Sequence, residues 1–303
     1  MKRKIIIICI SLLIPYIVTL LCVKRSGSLY KIYEVKDSGY TIELEDGCID
    51  MERFIPMVLM TRMDISSEEE ALKVQAVIIR TYIAGKLEEK KTASISVSDL
   101  NLNYISYDKM KKIWDEDFTR NYNFLNKIIS NTSMQVITYD DKLITPYYHE
   151  ASYGKTRQSD KDYLKSVKSE NDIMAKNFLK IQYYSIDEVA KKLREKNQEY
   201  EIDKEKGASN FEFIYNEGTE YVEAVKIGEV RITGSEFVEI FDLTSHAFTV
   251  EDYEDQLRII TKGMGHGYGV SMCGASLMAE DGNSYETIIN HYYSGVSIVQ
   301  LEV

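Results

Sequence analysis

Apolar positions change their spacing several times along the chain, and each change marks an element. Ile5 to Val23 is an unbroken run without Asp, Glu, Lys, Arg or His, framed by Lys2-Arg3-Lys4 and Lys24-Arg25. As a helix it would reach about 28 Å, close to the hydrocarbon thickness of a bilayer. A cleavable leader has a shorter apolar core, about 7–15 residues, and ends in small residues. This run ends in Leu20-Leu21-Cys22-Val23. It therefore reads as an uncleaved signal anchor within residues 1–25, which places residues 26–303 outside a cell membrane crossed once. The basic residues at both ends orient it only weakly; the large domain on one side sets the orientation.

Beyond the anchor, 31–35 and 40–44 flank Asp37-Ser38-Gly39 and predict a hairpin. Phe54, Ile55, Val58 and Leu59 recur at helical spacing, which predicts a helix over about 50–63. Ser67-Glu68-Glu69-Glu70 then sets a capping hydroxyl and an acidic first turn ahead of the strongest helical pattern, 71–87. Helices follow near 106–115 and 117–130, then strands over 135–139 and 143–148 joined by Asp140-Asp141. The charge-rich stretch 170–210, with one helix near 186–198, reads as a surface insertion. Strands at about 211–216, 220–226 and 255–261 come next, with a capped helix starting at Thr233. A glycine-rich turn over 263–269, helices at 271–281 and 284–293, and a terminal strand complete the order. No βαβ series and no repeat emerge, so the fold class is α+β, one mixed domain after the anchor.

Composition narrows the function. A net charge of −11 and a pI near 5.1 disfavour nucleic acid and polyanions as partners. Tyrosine is frequent, 23 against 9 Phe and one Trp. An apolar ring with a polar tip suits sugar faces, and it suits a half-polar core equally well. Cys9 and Cys22 fall in the apolar run, leaving Cys48 and Cys273, which are too few for a disulfide framework. No C-x-x-C or H-x-x-x-H spacing occurs, so neither a metal nor another cofactor is expected.

Three separated places carry candidate chemistry. Four glycines alternate around His266, a backbone that β-branched residues could not follow. Such a turn either lets a ligand approach main-chain amides beside one imidazole, or is a tight turn with a structural histidine. Ser152, Tyr153, Gly154 and Thr156 form a small polar loop after a strand, next to His149. Gln75 and Arg80 interrupt an otherwise apolar helix, and two readings stand open: a cleft wall or a buried polar network.

These places coincide with three segments that resemble one family, the SpoIID/LytB family, which also includes amidase enhancers. Glu70-Ala-Leu-Lys-Val-Gln-Ala-Val-Ile-Ile-Arg-Thr-Tyr82 resembles that family's E-A-L-K-A-Q-A-V-A-A-R-T-Y helix. Tyr147-Tyr-His-Glu-Ala-Ser-Tyr-Gly-Lys-Thr156 and Tyr163-Leu-Lys-Ser-Val-Lys-Ser169 are similar to its F-H/F-S-T-S-G-G-x-T and Y-L-x-S-V stretches. Gly263-Met-Gly-His-Gly-Tyr-Gly-Val-Ser-Met-Cys-Gly-Ala275, with His291-Tyr-Tyr-Ser-Gly295, resembles G-x-G-H-G-x-G-M-S-Q-Y-G-A and H-Y-Y-x-G-T. The resemblance implies engagement of peptidoglycan glycan strands, a lytic transglycosylase chemistry, and possible partnership with a cell-wall amidase. It marks Gln75, Arg80, Tyr148, His149, Ser152, Gly265, Gly267 and Ser271 as candidate substrate contacts, and Glu150 and His266 as candidate catalytic groups.

Three departures qualify it. The family's S-E-M-P segment, whose glutamate acts as general acid, aligns with Thr61-Arg62-Met63-Asp64, and an arginine cannot trade a proton with a glycosidic oxygen. Asp64 or, better placed, Glu150 would have to substitute. Clostridial relatives bind zinc around a D-x-x-x-H-Q/C-Q segment, which here aligns with Ser98-Asp-Leu-Asn-Leu-Asn-Tyr104, without His or Cys. Met272-Cys273 replaces the family's Gln-Tyr.

Overall fold

A computed structural model describes residues 31–302; the expected anchor lies outside these residues. Among the described residues no helix is long and apolar enough to cross a membrane. Regular structure begins with an antiparallel hairpin, β1 (Thr41–Leu44) and β2 (Gly47–Asp50). The turn thus falls at Glu45-Asp46, and 31–35 form no strand. Asp50 explains the displacement. Its Oδ2 accepts from the Ser38 amide (2.8 Å), the Ser38 hydroxyl (3.0 Å) and the Gly39 amide (3.2 Å). The Asp37-Ser38-Gly39 segment is therefore pinned at the start of the next helix instead of folding on itself.

That helix, α1 (Met51–Leu59), is capped by Asp50 and stops before Met60, so Thr61 and Arg62 lie in the following turn. α2 (Glu69–Lys90) starts from Glu68, which makes no side-chain cap bond. The expected Ser67 cap is not used; Glu69 and Glu70 clasp Lys73 one turn on. β3 (Ser94–Ser96) runs parallel to β1, and α3 (Val97–Leu100), α4 (Tyr107–Trp114) and α5 (Phe118–Asn131) follow. One face of α2 (Leu72, Ala76, Ile79, Ile83) packs with Phe54, Ile55 and Val58 of α1 and Leu125, Ile128 and Ile129 of α5, all buried.

The opposite face of α2 serves a second core. β4 (Gln135–Tyr139) and β5 (Lys142–Leu143) meet through Asp140 and Asp141, both at positive φ, as a tight hairpin demands. β6 (Tyr148–His149) comes next. The chain then builds a third, separate core from β7 (Leu179–Ser185), α6 (Ile186–Lys196), β8 (Phe211–Tyr215), β9 (Val222–Ile227), β10 (Val230–Thr233), α7 (Gly234–Phe241), β11 (Phe248–Tyr253) and β12 (Gln256–Lys262). Two antiparallel sheets, β10-β9-β8 and β11-β12-β7, supply it. Within the stretch expected as a surface insertion, 170–210, the elements from β7 onward belong to this unit, while Asp172 packs with the loop after β6. β7 pairs along β12, and Val189 and Leu193 of α6 are buried. Its charges stand largely on the exposed face of α6 and in the connection 197–210.

The chain finally returns to the second core with β13 (Val270–Ser271), α8 (Met272–Glu280), α9 (Tyr285–Tyr292) and β14 (Ser297–Gln300). β14 lies antiparallel on β4, and Ala275, Ile288, Ile289 and Tyr292 pack against Ala71, Val74, Val77 and Ile78 of α2.

Candidate functional site

The glycine turn and the first polar loop meet because β13 pairs in parallel with β6, Val270 opposite Tyr148 and Ser271 opposite His149. The glycines are what allow the approach. At Gly269 (φ +68°) a Cβ would fall 1.9 Å from the Tyr147 carbonyl oxygen, and at Gly265 (φ +100°) 2.8 Å from the Cβ of His149. Several amides of this turn are committed within the protein: Met264 N–H donates to the Ala151 carbonyl and Gly265 N–H to that of Thr244, both at 2.7 Å. Val270 N–H donates to the Tyr147 carbonyl at 3.0 Å. These bonds tie the turn to its neighbours and mount His266 beside β6.

Each imidazole is fixed in one neutral form. The Tyr268 amide donates to His266 Nδ1 at 3.0 Å, which leaves the proton on Nε2. His149 donates from Nδ1 to the Tyr268 carbonyl at 3.1 Å, which leaves its Nε2 as a buried acceptor with no partner. Burial, reinforced by His266, pushes the pKa of His149 down to about 3. Burial and then Arg157 also lower that of His266. The two ring centres are 6.0 Å apart.

Two arginine–tyrosine stacks flank these rings. The Arg62 guanidinium lies 4.6 Å from the centre of the Tyr148 ring, and that of Arg157 lies 4.8 Å from Tyr268. Tyr147 meets His266 edge-on at 5.8 Å and lies 6.0 Å from Tyr268. Arg62, Tyr147, Tyr148, His266 and Tyr268 are all half-buried, so a ligand can reach them. Burial lowers the Arg62 pKa, with the Tyr148 and Tyr82 phenols acting against it, and its Nη1 is buried without a hydrogen-bond partner. A guanidinium stays protonated even so. This surface can stack on a flat ligand and donate hydrogen bonds to hydroxyls.

Glu150 follows His149 in an exposed bend, and its carbonyl accepts from the Cys273 amide at 2.9 Å. Cys273 is a free thiol whose pKa burial pushes up to about 11, so it is no nucleophile; Cys48 is free as well. Ser152 and Ser271 face inward. Ser152 is fully buried, its hydroxyl accepts from Gly154 N–H at 3.1 Å, and its amide donates to Asp172 at 2.7 Å. Ser271 caps α8 through Gly274 N–H. Both hold the loops in shape and neither is open to a substrate. Asp172, also fully buried, is the centre of this knot, and burial raises its pKa against the nearby serines. Nothing in the sequence marked it, because it lies 20 residues from Ser152 in a stretch without pattern.

The two polar residues of α2 separate. Arg80 is fully enclosed and grips Glu52 with two hydrogen bonds, 2.6 and 2.9 Å, while Nη1 donates to the Gln135 carbonyl at 3.1 Å. Of its two readings the buried network holds, and Arg80 touches no ligand-accessible surface. Gln75 is equally enclosed, and neither atom of its amide has a hydrogen-bond partner. Among the described residues no three of His, Cys, Asp and Glu gather as a metal site.

The chain is also similar to known proteins. A family model described as Stage II sporulation protein matches residues 47–139, from β2 through β4, which includes Arg62, Gln75 and Arg80. The chain is 28% identical over 266 residues to stage II sporulation protein D of Bacillus amyloliquefaciens, spanning 84% of this chain and 75% of that protein. Against stage II sporulation protein D of Bacillus subtilis (strain 168) the identity is 26% over 268 residues, 84% and 76% of the two chains. A fainter likeness, 24% over 296 residues, reaches an amidase enhancer of the same organism, spanning 80% of this chain and 39% of that one. Coverage of the two sporulation proteins runs far past the stretch that the family model matches. The family model and the two sporulation proteins together support the stage II sporulation protein D family for this chain.

Proposed function

We propose that this chain is a membrane-anchored, extracytoplasmic protein that holds peptidoglycan glycan strands during cell-wall remodelling of the sporulation type, and that it cleaves them poorly or not at all. One observation carries the reading: Arg62, at the position where the family resemblance expects a carboxylic acid, is stacked on Tyr148 at the head of an accessible aromatic face. Tyr147, Tyr148 and Tyr268 offer rings to sugar faces, and the Arg62 guanidinium offers donors to hydroxyls. A guanidinium cannot supply the proton that the leaving oxygen needs, and loss of a general acid costs about 10²–10⁴-fold in rate. The likeness to an amidase enhancer supports recruitment of a cell-wall amidase as an accompanying role.

A second reading keeps catalysis and assigns the acid to Glu150, which the bend after β6 presents beside His149. Its exposure counts against it, since general acids of glycosidases are carboxyls in apolar surroundings. An assay for 1,6-anhydro ends on peptide-free glycan strands, paired with a glycan pull-down, separates the two. The proposal expects binding without cleavage in the wild type, some cleavage in Arg62→Glu, and none in Arg62→Ala. Robust wild-type cleavage that vanishes in Glu150→Gln would establish the second reading. Absence of binding in every variant would overturn both.

A further inference from the structure

The sheet β11-β12-β7 ends in an open edge. β7 has β12 on one side and, among the described residues, no strand on the other. Its even-numbered residues face β12. The Gly263 amide donates to the Phe178 carbonyl at 2.7 Å, and the register continues as Lys180↔Thr261, Gln182↔Ile259 and Tyr184↔Leu257. A residue in an antiparallel ladder aims its N–H and C=O to the same side. Leu179, Ile181 and Tyr183 therefore aim theirs at the open edge. Their side chains also stand on the uncovered face of the sheet, 53%, 43% and 46% exposed.

Soluble proteins normally blunt such an edge with charge, proline or a bulge. β7 carries none of these on its open face. Its one charged residue, Lys180, is turned to the other side, where Nζ donates to the Asp242 carbonyl at 2.8 Å. Gln182 is held beside it by the Phe241 carbonyl at 3.0 Å. What remains is a row of unpaired main-chain groups under a Leu-x-Ile-x-Tyr stripe, a template for another strand.

We propose that the occupant is β7 of a second copy of this chain, antiparallel across a two-fold axis through Ile181. In that register Ile181 faces Ile181 of the second copy and Leu179 faces Tyr183 of the second copy. The two edges exchange about six main-chain hydrogen bonds, and two three-stranded sheets become one. The self-complementary apolar stripe is what favours this partner, and the charges on this face do not oppose it. A chain of net charge −11 repels its own copies over most of its surface. On this face the charges are already paired, Arg258 with Glu251 at 2.6 Å and Lys262 with Glu220 at 3.0 Å. In the proposed register Lys180 meets Gln182 of the second copy, so no like-charged pair forms. A strongly charged peptide would find nothing complementary here.

The test is sedimentation equilibrium of the full chain in mild detergent, with cysteine cross-linking. Hydrogen-bonded partners lie about 5.5 Å apart at Cα, within disulfide reach. Ile181→Cys should then form a linked dimer well above the background of the four native cysteines, and Gln182→Cys should not. Ile181→Asp sets like charges on the axis and should weaken dimerisation at least about tenfold; Tyr183→Ser should weaken it less. A wild type that sediments as a monomer would overturn the proposal. So would a dimer that a folded Ile181→Asp chain retains, or cross-linking of Ile181→Cys no stronger than in the wild type.

Discussion

Arg80 and Arg62 are both drawn out of bulk water, and they end in opposite states. Arg80, in the middle of α2, has a carboxylate gripped at two points and a backbone carbonyl on a third nitrogen. Arg62, in the turn between α1 and α2, has an aromatic ring beneath it and a buried nitrogen with no partner. One cation is saturated by the fold; the other keeps hydrogen-bonding capacity in a half-buried place. A buried polar group left unmatched costs roughly 1–3 kcal/mol. Arg80 has neither free hydrogen-bonding capacity nor exposed surface, whereas Arg62 is half-buried on an accessible aromatic face.

The sharpest way to break this contrast is to remove the saturated arginine. Arg80→Ala would strand the Glu52 carboxylate in the core, and urea unfolding should register a loss of about 3–5 kcal/mol. Arg80→Met combined with Glu52→Met should recover much of it, because no lone charge is left behind. Were the single substitution nearly neutral, the pair would not be the scaffold element described above.

A somewhat smaller effect is expected at the mount of His266. Gly269→Ala forces a Cβ against the Tyr147 carbonyl at positive φ. It should cost about 3 kcal/mol in the same unfolding measurement and weaken glycan pull-down through the displaced turn. Normal stability and binding in Gly269→Ala would show that the close approach to β6 is dispensable.

Acid should erode the site further. In the unfolded chain His149 binds its proton near the ordinary value of 6.5, and in the folded protein only near about 3. Between these limits the unfolded state holds more protons, so stability is full above pH 6.5 and falls as pH drops. The loss for this group should be about 2 kcal/mol from pH 7 to about pH 5. His246, whose pKa burial lowers to about 4, adds to the slope in the same direction. Unfolding followed against pH, with His149→Gln as the comparison, checks this: the variant should show a shallower fall.

The smallest stability change is expected where the functional change is largest. Arg62→Ala removes a stack that cation–π energetics put at roughly 1 kcal/mol, and it also relieves an unsatisfied nitrogen. Its unfolding free energy should shift by less than about 1 kcal/mol, while glycan retention drops. A large destabilisation would place Arg62 with Arg80 among the scaffold residues.

How far these regions were legible beforehand depended on the range of the forces that shape them. α2, the Asp140-Asp141 hairpin and the Thr233 capping box are set by neighbours within a few residues, and all three lie where local patterning puts them. The first hairpin moved because Asp50, 12 residues beyond Ser38, captured the loop. β7 escaped notice because the residues that alternate along it are apolar on the exposed side, the reverse of the usual signal.

The sequence by itself determined the family-like segments, the arginine where the resemblance expects an acid and the glycines that let one backbone lie on another, since these depend only on residue identity and local conformation. Only the tertiary structure decided what each polar residue does. It buried Arg80 against Glu52, turned Ser152 and Ser271 inward around Asp172, tied the amides of Met264, Gly265 and Tyr268 into the fold, and left Arg62 stacked and incompletely bonded. The physical reason is that a polar side chain's role is fixed by the partners remaining to it once water is gone. Those partners come from distant parts of the chain: Glu52 lies 28 residues from Arg80, and the Tyr268 carbonyl 119 residues from His149.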